Sequence, residues 1–230
     1  MNAAPPVVAV VPAKDEQDRL GATLEALAGL PEVDLVVVVD DGSSDATSRV
    51  ASDHGVLVCS HPTNRGKAAA MTTGAAAARQ HLGPGVDHLL LFVDADLEHS
   101  ASALGVLVRP VRDDDTDMTV AVLPPQRQSG GGHGFVVRLA RRGIIEATGW
   151  APNQPLSGMR CLRRSAYDVA QPLARGWGVE VGLTVDVLRA GLRVLEVPCD
   201  LHHRVTGRGW RAQLHRAAQY RDVWLALRRR

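Results

Sequence analysis

Short apolar runs alternate with helical patterns along the first 125 residues. The β-branched run at residues 7–11 ends at Pro12 and predicts a strand buried on both faces. Residues 15–30 carry Leu20, Leu24 and Leu27 at helical spacing, with Asp15 as the predicted N-cap. The same alternation continues with predicted strands at 33–39, 56–59, 87–93 and 118–123, and with predicted helices at about 44–53 (capped by Ser43 or Ser44), 66–81 and 100–108. Strands and helices that alternate in this way predict an α/β fold, with a Rossmann-like, mostly parallel sheet and helices on both faces.

The second half of the chain is less regular. Residues 126–134 (QRQSGGGHG) predict a loop and residues 150–160 are rich in turn formers. Helices are expected at about 135–148, 179–190 and 208–227, with a strand at 193–197. The length of 230 residues fits one domain. We expect its parts to be a regular half at 1–125, an irregular half at 126–207 and a final helix at 208–230.

Composition excludes several classes of protein. Apolar residues make up 45% of the chain and charged residues 22%, which is typical of a folded globular domain. The formal charge of +1 and the 3% content of aromatic residues argue against nucleic acid as a partner. Three widely spaced cysteines (Cys59, Cys161 and Cys199) and the lack of a recognisable signal or membrane-spanning segment predict a cytoplasmic location.

Acidic clusters follow three of the predicted strands. The segments are Pro12-Ala13-Lys14-Asp15-Glu16, Asp40-Asp41-Gly42-Ser43 and Asp94-Ala95-Asp96. Ligands of open parallel sheets bind beyond the carboxyl ends of the strands, so these clusters are expected to meet at one site. On extended backbone, Asp94 and Asp96 would point to one side, about 6 to 7 Å apart. Two carboxylates there suit Mg²⁺ or Mn²⁺ shared with a phosphate ligand.

Basic and imidazole groups add to this picture. Asn64-Arg65-Gly66-Lys67 opens a predicted helix, where backbone N–H groups and the Lys67 ammonium favour an anion. A cationic surface turn is the alternative. One imidazole of His202-His203 could complete a metal site with Asp96, because histidine suits Mn²⁺ better than Mg²⁺. A surface or core histidine pair is the alternative there.

These motifs resemble a known family. VVPAKDE, VVVVDDGSSDAT, NRGKAAAM and FVDADL occur in order and are similar to the nucleotide-sugar-binding half of family-2 glycosyltransferases of the GT-A fold. The second half resembles the retaining glucosyl-3-phosphoglycerate synthases and their mannosyl relatives, through RQSGGG, QPLSG, GWGVEVGL and HHR. The resemblance implies transfer of a sugar, with glucose from UDP-glucose as the first choice, to a small acceptor, for which a phosphorylated compound is one candidate. It also implies a Mg²⁺ or Mn²⁺ cofactor.

The resemblance implies roles for individual residues. A catalytic set comprises Lys67, Asp96 and Glu180, and the metal would be held by Asp96 and His203. The implied acceptor-loop positions are Arg127, Ser129 and Gly130, with Arg204 as a further acceptor contact. The related branch continues its metal histidine with Arg-Asn-Arg, whereas this chain has Arg204-Val205-Thr206. The donor-binding positions implied are Pro12, Ala13, Lys14, Glu16, Asp41, Gly66, Lys67, Asp94, Leu156, Ser157, Gly158 and Glu180.

The sequence leaves the role of Glu180 and the stereochemistry open. An inverting enzyme needs a carboxylate base facing the acceptor hydroxyl, and Glu180 could be that base. In the similar retaining branch, the corresponding glutamate holds sugar hydroxyls. Trp177 could line the sugar pocket or pack in the core. A non-catalytic sugar-nucleotide-binding protein is a further alternative. A nucleotidyltransferase is disfavoured, because PAKDEQDRLG lacks the glycine-rich loop that such enzymes place after the first strand.

The last helix is basic and amphipathic. Residues 208–230 contain seven arginines and a single acidic residue, Asp222. Such a helix can lie on an anionic membrane, which would suit an inverting polyprenyl-phosphate glycosyltransferase at the inner membrane face. The alternative is an apolar stripe packed on the domain or on a second subunit, as in a homodimer. The predicted stripe is Trp210, Leu214, Ala217, Tyr220, Trp224 and Leu227.

Overall fold

The computed structural model describes residues 4–124, 134–201 and 210–230, with the backbone alone for residues 210–216. The strands are β1 (Val7–Ala13), β2 (Leu35–Asp40), β3 (Leu57–Ser60), β4 (Leu89–Phe92), β5 (Met118–Val122), β6 (Arg160–Arg163) and β7 (Val194–Pro198). The α-helices are α1 (Leu20–Ala28), α2 (Thr47–Asp53), α3 (Lys67–Leu82), α4 (Gly105–Arg112), α5 (Gly134–Thr148), α6 (Arg164–Val169), α7 (Val179–Arg189) and α8 (Trp210–Arg228). Short 3₁₀ helices lie at Glu98–Leu104 and Gly176–Gly178.

The described strands form one seven-stranded sheet in the order β3-β2-β1-β4-β6-β5-β7. Strands β1 to β4 pair in parallel, and β5 pairs in parallel with β7. Strand β6 runs antiparallel between β4 and β5. The predicted α/β class and the mostly parallel sheet are therefore confirmed. Because strands of both halves share this sheet, the first and second halves are joined through the backbone ladders of β6 with β4 and β5 and of β7 with β5.

The sheet is buried on both faces, as the unbroken valine runs predict. In β1, Val7, Ala9 and Val11 belong to the core beneath α1 and α4, whereas Val8 and Val10 belong to the core beneath α3 and α7. All five are fully buried. Helix α3 lies very close to the sheet, because a Cβ on Gly74 would come within 2.3 Å of Cγ1 of Val10. This close packing fixes the position of the first residue of α3, Lys67, at the sheet edge.

The first helix begins later than predicted. Helix α1 starts at Leu20, and Asp15 is not its N-cap. Asp15 instead has a positive φ of 54°, and its carboxylate accepts hydrogen bonds from the backbone N–H and hydroxyl of Ser44. An aspartate tolerates this left-handed conformation better than most residues. Asp15 therefore ties the loop after β1 to the loop after β2.

The second helix was also predicted to begin too early. Helix α2 starts at Thr47, so neither Ser43 nor Ser44 caps it. The carboxylate of Asp45 accepts the backbone N–H of Thr47 at 2.9 Å. Ser43 is used elsewhere, since its hydroxyl accepts the backbone N–H of Asp15 at 2.9 Å. The serines that resemble caps in the sequence thus join two loops.

Strand β6 and helix α6 are absent from the sequence-based assignment, which has only turns up to residue 160. The β6 sequence RCLR places Arg160 in the interior, where it is 1% exposed. A buried arginine does not follow the apolar pattern that marks a strand, so the signal was missing. The expected helix at 100–108 is instead the 3₁₀ helix Glu98–Leu104 followed by α4.

Helix α8 packs on the domain through a face that shares Leu227 with the predicted stripe, since Leu227 packs against the small core formed with α5 and α7. Among its residues with described side chains, Val223 and Ala226 are buried, and Val223 shares a small core with residues of α5 and α7. Tyr220 and Trp224, two members of the predicted stripe, are 46% and 41% exposed. Trp210 and Leu214 lie outside the described side chains. In the part of the chain that the structure describes, no helix has the length and apolarity needed to cross a membrane.

Candidate active site

A cavity of about 350 Å³ opens at the carboxyl ends of β1, β2 and β4. We call it the nucleotide cavity. Its position is the one that open parallel sheets use for ligands. Eight of the residues predicted to bind a donor line it: Pro12, Ala13, Lys14, Asp41, Gly66, Lys67, Asp94 and Glu180. Folding therefore brings together side chains from β1, β2, α3, the loop after β4 and helix α7.

Lys67 bridges two carboxylates at the base of this cavity. Its Nζ lies 2.7 Å from Oδ1 of Asp94 and 3.0 Å from Oε1 of Glu180. Burial by itself would lower the pKa of Lys67, but the two carboxylates outweigh it and raise the pKa above its ordinary value. The lysine is therefore a fixed cation at neutral pH. It joins α3, the loop after β4 and the first turn of α7.

A second cavity of about 220 Å³ adjoins the first. We call it the sugar cavity. Lys67, Asp94, Trp177 and Glu180 line both cavities, and Leu156 and Gly158 line the second. A Cβ on Gly158 would come within 2.5 Å of Nζ of Lys67 and 3.0 Å of the Asp94 carboxylate. Glycine is thus required at 158 if the Lys67–Asp94 pair is to keep its place.

Asp41 organises the loop that precedes α3. Its carboxylate accepts the backbone N–H groups of Arg65 and Gly66 at 2.8 and 2.7 Å, and its Oδ1 lies 2.7 Å from Nδ1 of His61. Burial would raise the pKa of Asp41, but these hydrogen bonds outweigh it and lower the pKa. The N–H groups of residues 65 and 66, which were expected to face a ligand anion, are therefore bound to a carboxylate of the protein.

The turn that contains Asp94 and Asp96 differs from the expected geometry. Strand β4 ends at Phe92, and residues 95 and 96 form a turn rather than extended backbone. Asp94 and Asp96 are therefore not an i, i+2 pair on a strand, and strand geometry does not bring their carboxylates to one side. Asp94 faces Lys67, whereas Asp96 is half-buried and lines neither of the two cavities.

Asp96 and His203 are the predicted metal ligands. Within residues 4–124, 134–201 and 210–230, no group of three or more His, Cys, Asp or Glu side chains could hold an ion. His203, the predicted second ligand, lies outside the described residues. The chemistry of the remaining donors does fit, because the carboxylates of Asp94 and Asp96 are hard oxygen ligands suited to Mg²⁺ or Mn²⁺.

Two predicted donor-binding residues, Glu16 and Ser157, lie outside the linings of the two cavities. Glu16 forms an ion pair of 2.7 Å with Arg19, and its backbone N–H donates to the hydroxyl of Thr47. Ser157 is 8% exposed, and its buried hydroxyl has no hydrogen-bond partner among the described residues. The acceptor positions Arg127, Ser129, Gly130 and Arg204 lie outside the described residues, so their roles stay predictions.

The structure adds lining residues that sequence reasoning missed. Val136 and Val137 of α5 and Gln219 of α8 line the sugar cavity. No local signal marks them, because they reach the cavity only when α5 and α8 pack on α7. Trp177, predicted either to line the sugar pocket or to pack in the core, lines both cavities and is 42% exposed. Its backbone N–H lies 3.3 Å from Oδ2 of Asp222, so α8 supports the turn that carries Trp177.

Residues 8–167 match the model of a family described as glycosyl transferase family 2. Among curated proteins, the chain is 31% identical over 208 residues to the glucosyl-3-phosphoglycerate synthase of Mycolicibacterium paratuberculosis, covering 80% of this chain and 60% of that protein. It is 30% identical over 218 residues to the undecaprenyl-phosphate mannosyltransferase of Micrococcus luteus, covering 87% of this chain and 85% of that protein.

Solved structures of glucosyl-3-phosphoglycerate synthase from Mycobacterium tuberculosis are similar over almost the whole chain. The complex with Mn²⁺, UDP and phosphoglyceric acid has a TM-score of 0.76 and 26% identity, covering 97% of this chain and 77% of that chain. The complex with Mg²⁺ and UDP has a TM-score of 0.77 and 25% identity, covering 97% and 78%. The architecture predicted from the sequence is thus that of proteins crystallised with a nucleotide and a divalent cation.

Proposed function

Because the chain belongs to glycosyl transferase family 2 and is a glycosyltransferase of the GT-A type, we propose that it transfers glucose from UDP-glucose to a small phosphorylated acceptor, with retention of configuration. Mg²⁺ or Mn²⁺ is the proposed cofactor, held by Asp96 and His203. The family and the enzyme class predicted from the sequence are confirmed. We propose the finer points: the donor, the acceptor, the stereochemistry and the individual site residues.

One observation carries this proposal: Lys67 joins Asp94 and Glu180 at the boundary between two adjoining cavities. A nucleoside placed in the nucleotide cavity and a sugar placed in the sugar cavity would put the diphosphate beside Lys67. The relatives support this placement, since their structures contain UDP together with Mn²⁺ or Mg²⁺.

The proposed chemistry uses few groups of the chain. Cleavage of the bond between the sugar and the diphosphate leaves negative charge on the β-phosphate. A divalent cation, when bound, would neutralise part of that charge. The Lys67 ammonium is already positioned by two carboxylates, so it can stabilise the leaving group without reorganisation. Glu180, buried at the start of α7, is placed to accept hydrogen bonds from sugar hydroxyls.

A donor-hydrolysis assay tests the proposal. Purified protein is incubated with Mn²⁺ and a panel of UDP- and GDP-sugars, and release of the nucleotide is measured together with thermal stabilisation by each donor. We expect UDP-glucose to be hydrolysed fastest and to raise the melting temperature. If no donor is hydrolysed and none shifts the melting temperature, the proposed function is rejected. A donor that stabilises the protein but is never cleaved with any acceptor would favour the non-catalytic alternative.

Acceptors can be separated by the same assay. Phosphoglycerate and undecaprenyl phosphate, the compounds in the names of the relatives, are added with the best donor, and the product is identified by mass spectrometry. The anomeric configuration of the product then tests retention. Serine or alanine substitutions at Arg127, Ser129, Gly130 and Arg204 should raise the KM for the acceptor and leave donor hydrolysis unchanged, if these positions contact the acceptor phosphate.

A lipid-phosphate acceptor is the second candidate, and the exposed face of α8 favours it. Tyr220 and Trp224 lie one turn apart, both exposed, and the guanidinium of Arg228 stacks 5.0 Å from the centre of the Trp224 ring. Aromatic and arginine side chains on one helix face suit the surface of an anionic membrane. In this second proposed function, the protein lies in the cytoplasm and binds peripherally to the inner membrane face.

Vesicle flotation tests the second candidate. We expect the protein to bind vesicles of phosphatidylglycerol at low salt but not vesicles of phosphatidylcholine. The double variant Tyr220→Ser, Trp224→Ser should lose that binding, whereas Val106→Ser, a change at an exposed apolar residue of α4, should keep it. Failure of the unchanged protein to bind anionic vesicles argues against this candidate and leaves the small-acceptor proposal in place.

A further inference from the structure

Arg160 is a charged residue in the interior of the sheet. It stands at the first position of β6 and is 1% exposed. It heads the large side chains that are fully buried in the described part of the chain. Arginine is rarely buried to this extent unless its N–H groups are satisfied. Burial lowers the pKa of Arg160 to about 10, against the opposing field of Glu180 and Glu196, so the guanidinium is still charged at neutral pH.

The guanidinium donates to two segments that line the sugar cavity. Its Nε donates to the backbone carbonyl of Ser157 at 2.8 Å and a terminal nitrogen lies 3.5 Å from the carbonyl of Pro155. The other terminal nitrogen donates to the hydroxyl of Thr184 at 2.8 Å. That hydroxyl in turn donates to the backbone carbonyl of Glu180 at 2.9 Å. One side chain therefore connects the segment 155–158 to the first turn of α7.

Segment 155–158 is also anchored on both sides of the carbonyl groups that Arg160 holds. Upstream, Glu196 accepts the backbone N–H groups of Asn153 and Gln154, and the Gln154 amide pairs with the backbone of Leu123. Downstream, Gly158 lies against the Lys67–Asp94 pair. The carbonyl of Ser157, which Arg160 holds, is next to that glycine. A displacement of this carbonyl would therefore move the wall of the sugar cavity.

We propose that Arg160 is a positioning residue that sets the separation between segment 155–158 and Glu180, and thereby shapes the sugar half of the donor site. The inference rests on the proposed function, because it assumes that a sugar occupies this cavity. Arg160 touches neither cavity, so it acts through Gly158 and Glu180. Elements β1 and α3 and the loops beside them line most of the nucleotide cavity, and the described hydrogen bonds of Arg160 do not reach them. Glu180, which Arg160 holds through Thr184, lines both cavities.

The test separates binding of the sugar from binding of the nucleotide. Dissociation constants for UDP and for UDP-glucose, with Mn²⁺, are measured by calorimetry for the unchanged protein and for Arg160→Met and Arg160→Lys. We expect Arg160→Met to bind UDP within twofold of the unchanged protein. Its affinity for UDP-glucose relative to UDP should fall at least tenfold, and the kcat of donor hydrolysis should fall by a similar factor. The affinity ratio of Arg160→Lys should lie between those of the unchanged protein and Arg160→Met, because an ammonium group cannot reach three separated acceptors.

Arg163→Met is the matched control. Arg163 ends the same strand at the opposite edge of the sheet, where it pairs with Asp114 at 2.7 Å. This variant should keep the unchanged ratio of the two affinities. If Arg160→Met also keeps that ratio, or loses UDP and UDP-glucose in parallel, the inference is overturned. If Arg160→Met does not fold, Arg160→Lys decides, and an unchanged ratio in that variant overturns the inference. An unchanged protein that binds neither ligand contradicts the proposed function itself.

Discussion

The Nζ atom of Lys67 lies 3.0 Å from Oε1 of Glu180, although 113 positions separate the two residues in the chain. The contact joins the first residue of α3 to the first turn of α7. Glu180 is more enclosed than Lys67, with side-chain exposures of 9% and 28%. The glutamate thus depends on the lysine for its charge balance, and both depend on the packing of their helices against the sheet.

Replacement of Lys67 by methionine is expected to abolish most of the activity. The change removes the cation that faces the proposed leaving group and leaves Asp94 and Glu180 without their shared partner. We expect kcat for donor hydrolysis to fall about 10²- to 10³-fold, the usual effect of losing one group that stabilises developing charge. Steady-state kinetics with UDP-glucose measure it. Arg79→Met, on an exposed position of the same helix, should have normal kinetics, and equal losses in both variants would contradict the assignment.

Glu180→Gln distinguishes an enzyme from a non-catalytic binding protein. The substitution keeps the shape of the side chain and removes its charge. We expect thermal stabilisation by UDP to persist, while transfer of the sugar falls roughly 10²-fold, within the range for loss of one acid–base or charge-stabilising group. Full retention of transfer activity would exclude both roles considered for Glu180, the base and the partner of the sugar hydroxyls.

Removal of the metal should stop the reaction. Chelation with EDTA is expected to eliminate donor hydrolysis, and added Mn²⁺ or Mg²⁺ should restore it. Asp96→Asn should raise the Mn²⁺ concentration needed for half-maximal rate by at least tenfold, because a carboxylate ligand becomes a neutral amide. His203→Ala should shift the metal requirement in the same direction. Asp53→Asn, an exposed acid in α2, provides the comparison, and a metal requirement that Asp96→Asn does not change would remove Asp96 from the metal site.

The low pKa of Asp41 makes stability depend on acid pH. Its folded-state pKa is below the ordinary value of 3.8, so its ionised form contributes stability above that value. That contribution is lost as the pH falls below about 3.8 and through the folded pKa. Urea unfolding from pH 6 to pH 2.5 should show a steeper loss of unfolding free energy below pH 4 in the unchanged protein than in Asp41→Asn. Identical slopes in the two proteins would show that Asp41 is not coupled to folding.

The sequence by itself determined the alternating strands and helices and the acidic strand ends of the first half. Continuous valine runs are typical of strands covered on both faces of a parallel sheet, and parallel strands deliver their carboxyl ends to one edge. Pro12, Asp41 and Asp94 could therefore be assigned to one site without coordinates. Tertiary structure alone decided the antiparallel insertion of β6, the burial of Arg160, the pairing of Lys67 with Glu180 and the contribution of α8 to the cavity wall. Each of these depends on contacts between residues far apart in the chain, and local periodicity carries no information about such contacts.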